Sequence, residues 1–213
     1  AEFHIIGRIG KIDAAKDAVL KANGWTDAYV RVIAWRGAGE DMGVAASKNP
    51  VRMAVTAWQW GNYYGDAKMK GAILDVAKWK RPSPETAPSQ AKAAGLYMIC
   101  TMAKHAAMAK GCSDAMMFDY RGYVAEATGA NIFFVKDGEV HTPLADCFLN
   151  GLTRQTVIGM LKDRQIKVHE RHIMPDELEG FQQCWLTGTA AEVTPVGQIG
   201  DHSFEVGEMT RMI

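Results

Sequence analysis

Lys92, in the run KAAGLY, sits among small residues just ahead of a helical pattern. A lysine that can shed its proton is a nucleophile toward carbonyl groups, and it needs space for whatever it bonds. Ala91, Ala93, Ala94 and Gly95 supply that space. Glu126, in GYVAEATGAN, stands among apolar strand residues. A carboxylate is costly to bury there unless it meets a cation. Gly151-Leu152-Thr153 opens a second helical pattern, where free amides and the positive end of the helix dipole favour an anion. Thr187-Gly188-Thr189-Ala190-Ala191 is a small-residue turn between apolar strands. Its amides and hydroxyls suit phosphate or carboxylate oxygens. Singly, each feature has an ordinary reading: a surface lysine, an edge glutamate facing water, a helix cap, a tight turn. Together they describe a carbonyl-bonding amine, a carboxylate for a cationic nitrogen and a seat for an anion.

Other patterns carry less. GRIGK at residues 7–11 hints at a nucleotide-binding loop, but the full spacing is absent and Ile12 stands where Ser or Thr is needed. His169 and His172 are three apart on an expected strand, so they point to opposite faces and no metal site is expected. Cys100, Cys112, Cys147 and Cys184 form no C-x-x-C pair and read as buried structural thiols.

The elements that must position these groups can be read from periodicity and punctuation. Ala14, Ala15, Ala18, Val19 and Ala22 predict a helix over 12–23, stopped by Gly24. AYVRVIAW (28–35) and VRMAVTAWQW (51–60) read as strands, separated by the glycine-rich RGAGEDMG. GNYYGDAKMKG reads as a domain linker near 61–71, dividing a small unit (1–66) from a larger one (67–213). The proline-rich KRPSPETAPSQ precedes Lys92. A helix over about 95–110 follows, with Leu96, Ile99, Cys100, Ala103, Ala106 and Ala107 on one face and Gly111 at its end.

A β-meander is expected next. DAMMFD and GYVAEA flank a turn at Tyr120-Arg121, and NIFFVK and EVHTP flank Asp137-Gly138, a strong hairpin signal. After the helix LTRQTVIGMLKDR come the strand IKVHERHI, a short helix at PDELEGF and the strand–turn–strand CWLTGTAAEVTPV. Mixed elements with many hairpins argue an α+β fold rather than a doubly wound sheet.

Composition excludes several classes of function. Hydrophobic residues make up 48% and charged residues 23% of 213, ordinary values for a globular chain. Acidic and basic residues both number 24, so nothing suggests nucleic acid as a partner. No apolar run approaches the roughly 20 residues that span a bilayer, and no membrane association is expected. No secretory signal is read at AEFHIIGRIGK. Twelve methionines and four unpaired cysteines fit a reducing cytoplasm.

From about residue 27 onward the motifs resemble the branched-chain aminotransferases, of the class IV or fold-type IV group of pyridoxal 5′-phosphate (PLP) enzymes. The resemblance rests on KAAGLY, YVAEATGANIFFVKDGEVHTP, LNGLTRQTVI and LTGTAAEVTPV, of which the last is the most specific. It implies transfer of the amino group of L-leucine, isoleucine or valine to 2-oxoglutarate, through a Schiff base on Lys92. By the resemblance Tyr97 meets the cofactor's phenolic oxygen and Glu126 its pyridine nitrogen. Leu149 packs on the ring, and the phosphate is held by Leu152, Thr153, Gly188 and Thr189. The turn at Thr189 and Ala190 takes the substrate carboxylate. Tyr29 and Arg31 match a substrate-facing Tyr-x-Arg pair, and MGV (42–44), with Val44, matches a substrate-side loop. The family forms homodimers or larger assemblies. Its members carry a further segment ahead of the Tyr-x-Arg strand, so the small domain here is expected to be incomplete. D-amino-acid and R-amine transaminases, aminodeoxychorismate lyases, and an inactive fragment serving a structural or interaction role remain alternatives.

Overall fold

The computed structural model describes residues 9–39, 43–61 and 70–213. The chain divides into two compact units, residues 1–61 and 62–213. The expected boundary at residue 66 falls among residues 62–69, outside the described residues, as do Gly7 and Arg8 of GRIGK.

In the first unit, helix α1 (Ile9–Asn23) lies against a hairpin of β1 (Tyr29–Arg36) and β2 (Val51–Trp58). Gly24 takes the left-handed conformation (φ +67°) that ends α1. The strands pair antiparallel from Tyr29 opposite Trp58 to Arg36 opposite Val51. Val32, Ile33, Trp35, Trp58 and Trp60 are exposed on this unit.

The second unit is built on one mixed sheet. Its strands are β3 (Ala72–Val76), β4 (Asp114–Phe118), β5 (Val124–Ala127), β6 (Asn131–Lys136), β7 (Glu139–Pro143), β8 (Val168–Arg171), β9 (Gln183–Gly188), β10 (Glu192–Ile199) and the short β11 (His202–Ser203). The order is β5-β4-β3-β10-β9-β6-β7-β8, with β11 paired to β10. Among the described residues, α2 (Met98–Ala109), α3 (Leu152–Asp163) and α4 (Glu208–Met212) accompany it.

Side-chain alternation on the central strands separates two cores. Ile132, Phe134, Cys184 and Leu186 face one side and pack with Met116, Phe181 and Phe204. Phe133, Val135 and Trp185 face the other and are covered by Val157, Ile158 and Leu161 of α3. The Phe133 and Trp185 rings stack at 5.3 Å.

The structure corrects several expectations. The two predicted hairpins form, but they are not a meander: β3, β10 and β9 lie between them. Nothing in either hairpin's sequence says which long-range strand will part them. AILDV, read as part of no element, is the central strand β3, parallel to both β4 and β10. The expected helix at 95–110 begins as a 3-10 turn over Ala94–Tyr97, and only Cys100, Ala103 and Ala107 of its predicted face are buried. Ala106 is exposed, because Ala103 and Ala107 alone meet Ala115 of β4. Cys112 is half-buried rather than buried.

Candidate active site

Glu126 lies on β5 and is nearly fully buried. Antiparallel pairing with β4 sets its place, opposite Met117. The β4–β5 turn is fixed by buried Asp119, whose Oδ1 accepts the backbone amides of Arg121, Gly122 and Tyr123 at 2.8, 2.9 and 3.1 Å. Burial pushes the Glu126 carboxyl up to about 8; the positive charges of Arg81 and then Lys92 act against that rise.

Two side chains hold the Glu126 carboxylate. Arg81 Nε lies 3.3 Å from Oε1, and Asn131 Nδ2 donates to Oε2 at 3.1 Å. Arg81 is itself buried. Its backbone amide bonds the Phe118 carbonyl at 2.8 Å, and its Nη1 donates to the Leu96 carbonyl at 3.2 Å and to Cys100 Sγ at 3.1 Å. The arginine therefore ties the carboxylate to the turn that carries Gly95, Leu96 and Tyr97.

Asn131, the first residue of β6, reaches in a second direction. Its Nδ2 also donates to the Leu149 carbonyl at 3.0 Å, and its Oδ1 accepts the Gly151 amide at 3.3 Å. Gly151 is the residue before α3. Among the described residues no side chain caps that helix, and no acidic residue sits in its first turn. Its first amides are thus left to an anion or to water. Buried Arg154 anchors the same turn, donating to Asn150 Oδ1 at 2.9 Å and to the Pro143 carbonyl and Glu170 Oε2 at 3.0 Å.

Lys92 is exposed and precedes the Ala94–Tyr97 turn, and Tyr97 is half-buried. Leu149, Thr153, Gly188 and Ala190 are half-buried, while Leu152 and Thr189 are exposed. Gly188 ends β9 beside the Gly129 carbonyl, 3.5 Å from where its Cβ would be. One residue earlier, Thr187 sits opposite Asn131 in the β6–β9 register. Its Oγ1 is buried without a hydrogen-bond partner among the described residues.

These features fit a phosphorylated pyridine cofactor: a desolvated carboxylate, an uncapped helix N-terminus, an unpartnered buried hydroxyl and an accessible lysine. Arg81, ion-paired to Glu126 and hydrogen-bonded to Leu96, and Asn131, hydrogen-bonded to Glu126 and Gly151, link Glu126, the Ala94–Tyr97 turn and the start of α3. Tyr29, Arg31 and Val44 belong to the first unit. There Arg31 Nη2 donates to the Tyr29 hydroxyl at 3.4 Å, and its guanidinium lies over the Tyr29 and Trp58 rings at 5.4 and 5.8 Å. Val44 is fully exposed, and Met42 of MGV lies outside the described residues.

Sequence reading missed Arg81 and Asn131. Arg81 is disguised by the proline-rich stretch around it, and Asn131 looks like an ordinary strand opener. Asn131's only local signal is a polar side chain beside an apolar run, and Arg81, between Lys80 and Pro82, has none. It also missed what His169 meets across the sheet. His169 Nε2 lies 2.6 Å from Glu139 Oε2, and its ring stacks on His141 at 4.7 Å. The His141 Nδ1 in turn accepts from Arg171 Nε at 3.1 Å.

A buried carboxylate on a mixed sheet, an uncapped helix N-terminus and an exposed lysine are the kinds of group an aminotransferase's cofactor site requires. The family model for amino-transferase class IV matches residues 11–199, and the chain belongs to that family. It is 37% identical over 196 residues to a probable branched-chain-amino-acid aminotransferase of Rickettsia felis, covering 90% of this chain and 64% of that protein. The chain thus spans about 64% of the length of the curated relatives it matches. Its fold is that of the fold-type IV enzymes. The branched-chain aminotransferase of the thermophilic archaeon Thermoproteus uzoniensis, solved with norvaline, superposes with a TM-score of 0.88 at 31% identity, covering 95% of this chain and 68% of that one. An aminotransferase of Brucella abortus bound to PLP gives a TM-score of 0.84 at 30% identity, with coverage of 95% and 72%.

Proposed function

We propose that this chain carries the PLP site of a transaminase acting on L-leucine, isoleucine or valine, with 2-oxoglutarate as amino-group acceptor. The observation that supports this most is the buried Glu126 carboxylate, held by Asn131 at 3.1 Å and linked by it to the open N-terminus of α3. A carboxylate placed there suits a protonated ring nitrogen, and an uncapped helix end suits a phosphate. When bound, PLP supplies the electron sink that makes the amino acid's Cα–H bond acidic.

The chain's own residues do the rest. Lys92 would offer its amine to the cofactor aldehyde and would hold and move the proton at the substrate Cα. Glu126 keeps a proton on the ring nitrogen. Tyr97 donates toward the cofactor's phenolic oxygen. The amides of Leu152 and Thr153, with Gly188 and Thr189, hold the phosphate, and Leu149 packs on the ring. Thr189 and Ala190 receive the substrate carboxylate, Tyr29, Arg31 and Val44 are the further substrate residues, and residues 67–213 form the cofactor domain. The curated relatives' names support branched-chain substrates over the other fold-type IV chemistries. Exposed Val32, Ile33, Trp35 and Trp58 support a covered face, as in a homodimer or larger assembly. The four free cysteines support a cytoplasmic setting.

Borohydride treatment of the chain mixed with PLP should fix the cofactor covalently, and peptide mapping should find it on Lys92. A label on another lysine, or none, sinks the assignment. Conversion of the bound cofactor to its amine form by D-alanine or R-amines but not by L-leucine would refute the substrate reading.

A further inference from the structure

Glu126 and the start of α3 are separate parts of the chain, yet one side chain touches both. Asn131 donates through Nδ2 to Glu126 Oε2 and to the Leu149 carbonyl, and accepts the Gly151 amide on Oδ1. It is 5% exposed, so water does not compete freely for these bonds. The fit at Gly151 is tight as well: a Cβ there would lie 2.5 Å from Asn131 Oδ1. A side chain at position 151 would push the amide group away. Asn131 has one acceptor oxygen and one donor nitrogen, and both ends of the amide are committed.

We infer that Asn131 is a positioning residue that fixes the distance between the carboxylate serving the ring nitrogen and the helix end serving the phosphate, so that one rigid ligand engages both. This rests on the PLP reading above. A ligand that bridges two sites gains affinity over its fragments only while the sites hold the matching separation. Asn131 therefore acts on the advantage of the joined ligand, not on either site alone.

The experiment measures dissociation constants for pyridoxamine 5′-phosphate, pyridoxamine and inorganic phosphate by calorimetry. The amine forms make no covalent bond to Lys92, so binding reports the two ends only. Asn131→Ser should weaken pyridoxamine 5′-phosphate about tenfold or more, the scale of losing a hydrogen bond to a charged group. Each fragment should change less than about threefold, within the span of a weak contact. Asn131→Ala, which removes donor and acceptor alike without adding a charge, should give the same pattern. Urea midpoints of the same variants supply the control, since a merely structural role lowers stability without changing the ratio of joined ligand to fragments. If all three ligands weaken in equal proportion, or none does, the inference is wrong. If the unmutated chain does not bind pyridoxamine 5′-phosphate, or Glu126→Gln leaves its affinity unchanged, the PLP reading itself falls.

Discussion

Replacing Glu126 with Gln should stabilise the cofactor-free chain, and the gain should depend on pH. The folded carboxyl titrates near 8 instead of 4.5, chiefly because burial strips it of water. Below pH 4.5 it is protonated in both folded and unfolded chains, and Gln is a close mimic. Between about 4.5 and 8 the unfolded chain ionises while the folded one stays protonated, so the wild type loses about 1.4 kcal/mol per pH unit. The loss levels off above pH 8 at a ceiling of about 5 kcal/mol. Glu126→Gln does not titrate and keeps the low-pH stability throughout. Its advantage over the wild type should be near zero at about pH 4, about 3 kcal/mol at about pH 7 and largest at about pH 9. Arg81 lacks an anionic partner in both chains at low pH, so the comparison there is matched. Urea unfolding followed by tryptophan fluorescence at those three values measures it. A difference that stays flat with pH, or a variant less stable than wild type at the alkaline end, would refute the placement of this carboxyl in a desolvated site. The stability forgone at neutral pH is the physical signature of a group built for a partner cation.

Three further outcomes follow from packing and burial. Phe133→Ala should lose about 3–5 kcal/mol in urea unfolding, because the ring is wholly buried and stacked on Trp185. Gly71→Ala should destabilise by at least about 1–3 kcal/mol: its φ is +89°, and a Cβ would meet the Gly197 backbone nitrogen at 2.7 Å. Thermal unfolding close to wild type would contradict that geometry. Iodoacetamide at mildly alkaline pH should label Cys112 first in the native chain, as read by peptide mass. Cys100, Cys147 and Cys184 are buried, and burial raises their thiol pKa values, that of Cys147 to about 12.

The parts of the fold legible in the sequence are those whose cause is local. Asp137 and Gly138 both adopt positive φ, which the Asp-Gly pair predicts. Gly24 and Gly111 stop their helices for the same reason. What escaped has a distant cause. Ala72–Val76 is a strand because β4 and β10 flank it on both edges, and so short a run carries no periodicity strong enough to announce that. The lysine, glutamate and small-residue turns of the candidate site were visible because, though each is ordinary alone, they occur together in one chain. Arg81 and Asn131 were not, since their importance lies in what they meet at Glu126, an ion pair from Arg81 and a hydrogen bond from Asn131.

The place of β10 in the sheet bears on how the chain acquires its structure. Among the described residues it alone joins β5-β4-β3 to β9-β6-β7-β8, and in the sequence it follows every strand of both groups. During synthesis two half-sheets can assemble early, each with an unsatisfied inner edge. They cannot be sewn together until β10 leaves the ribosome, and its parallel pairing with β3 closes a very long loop. The nascent chain therefore passes through a stage with two sticky edges, one at β3 and the other at β6, which the β9–β10 hairpin later covers.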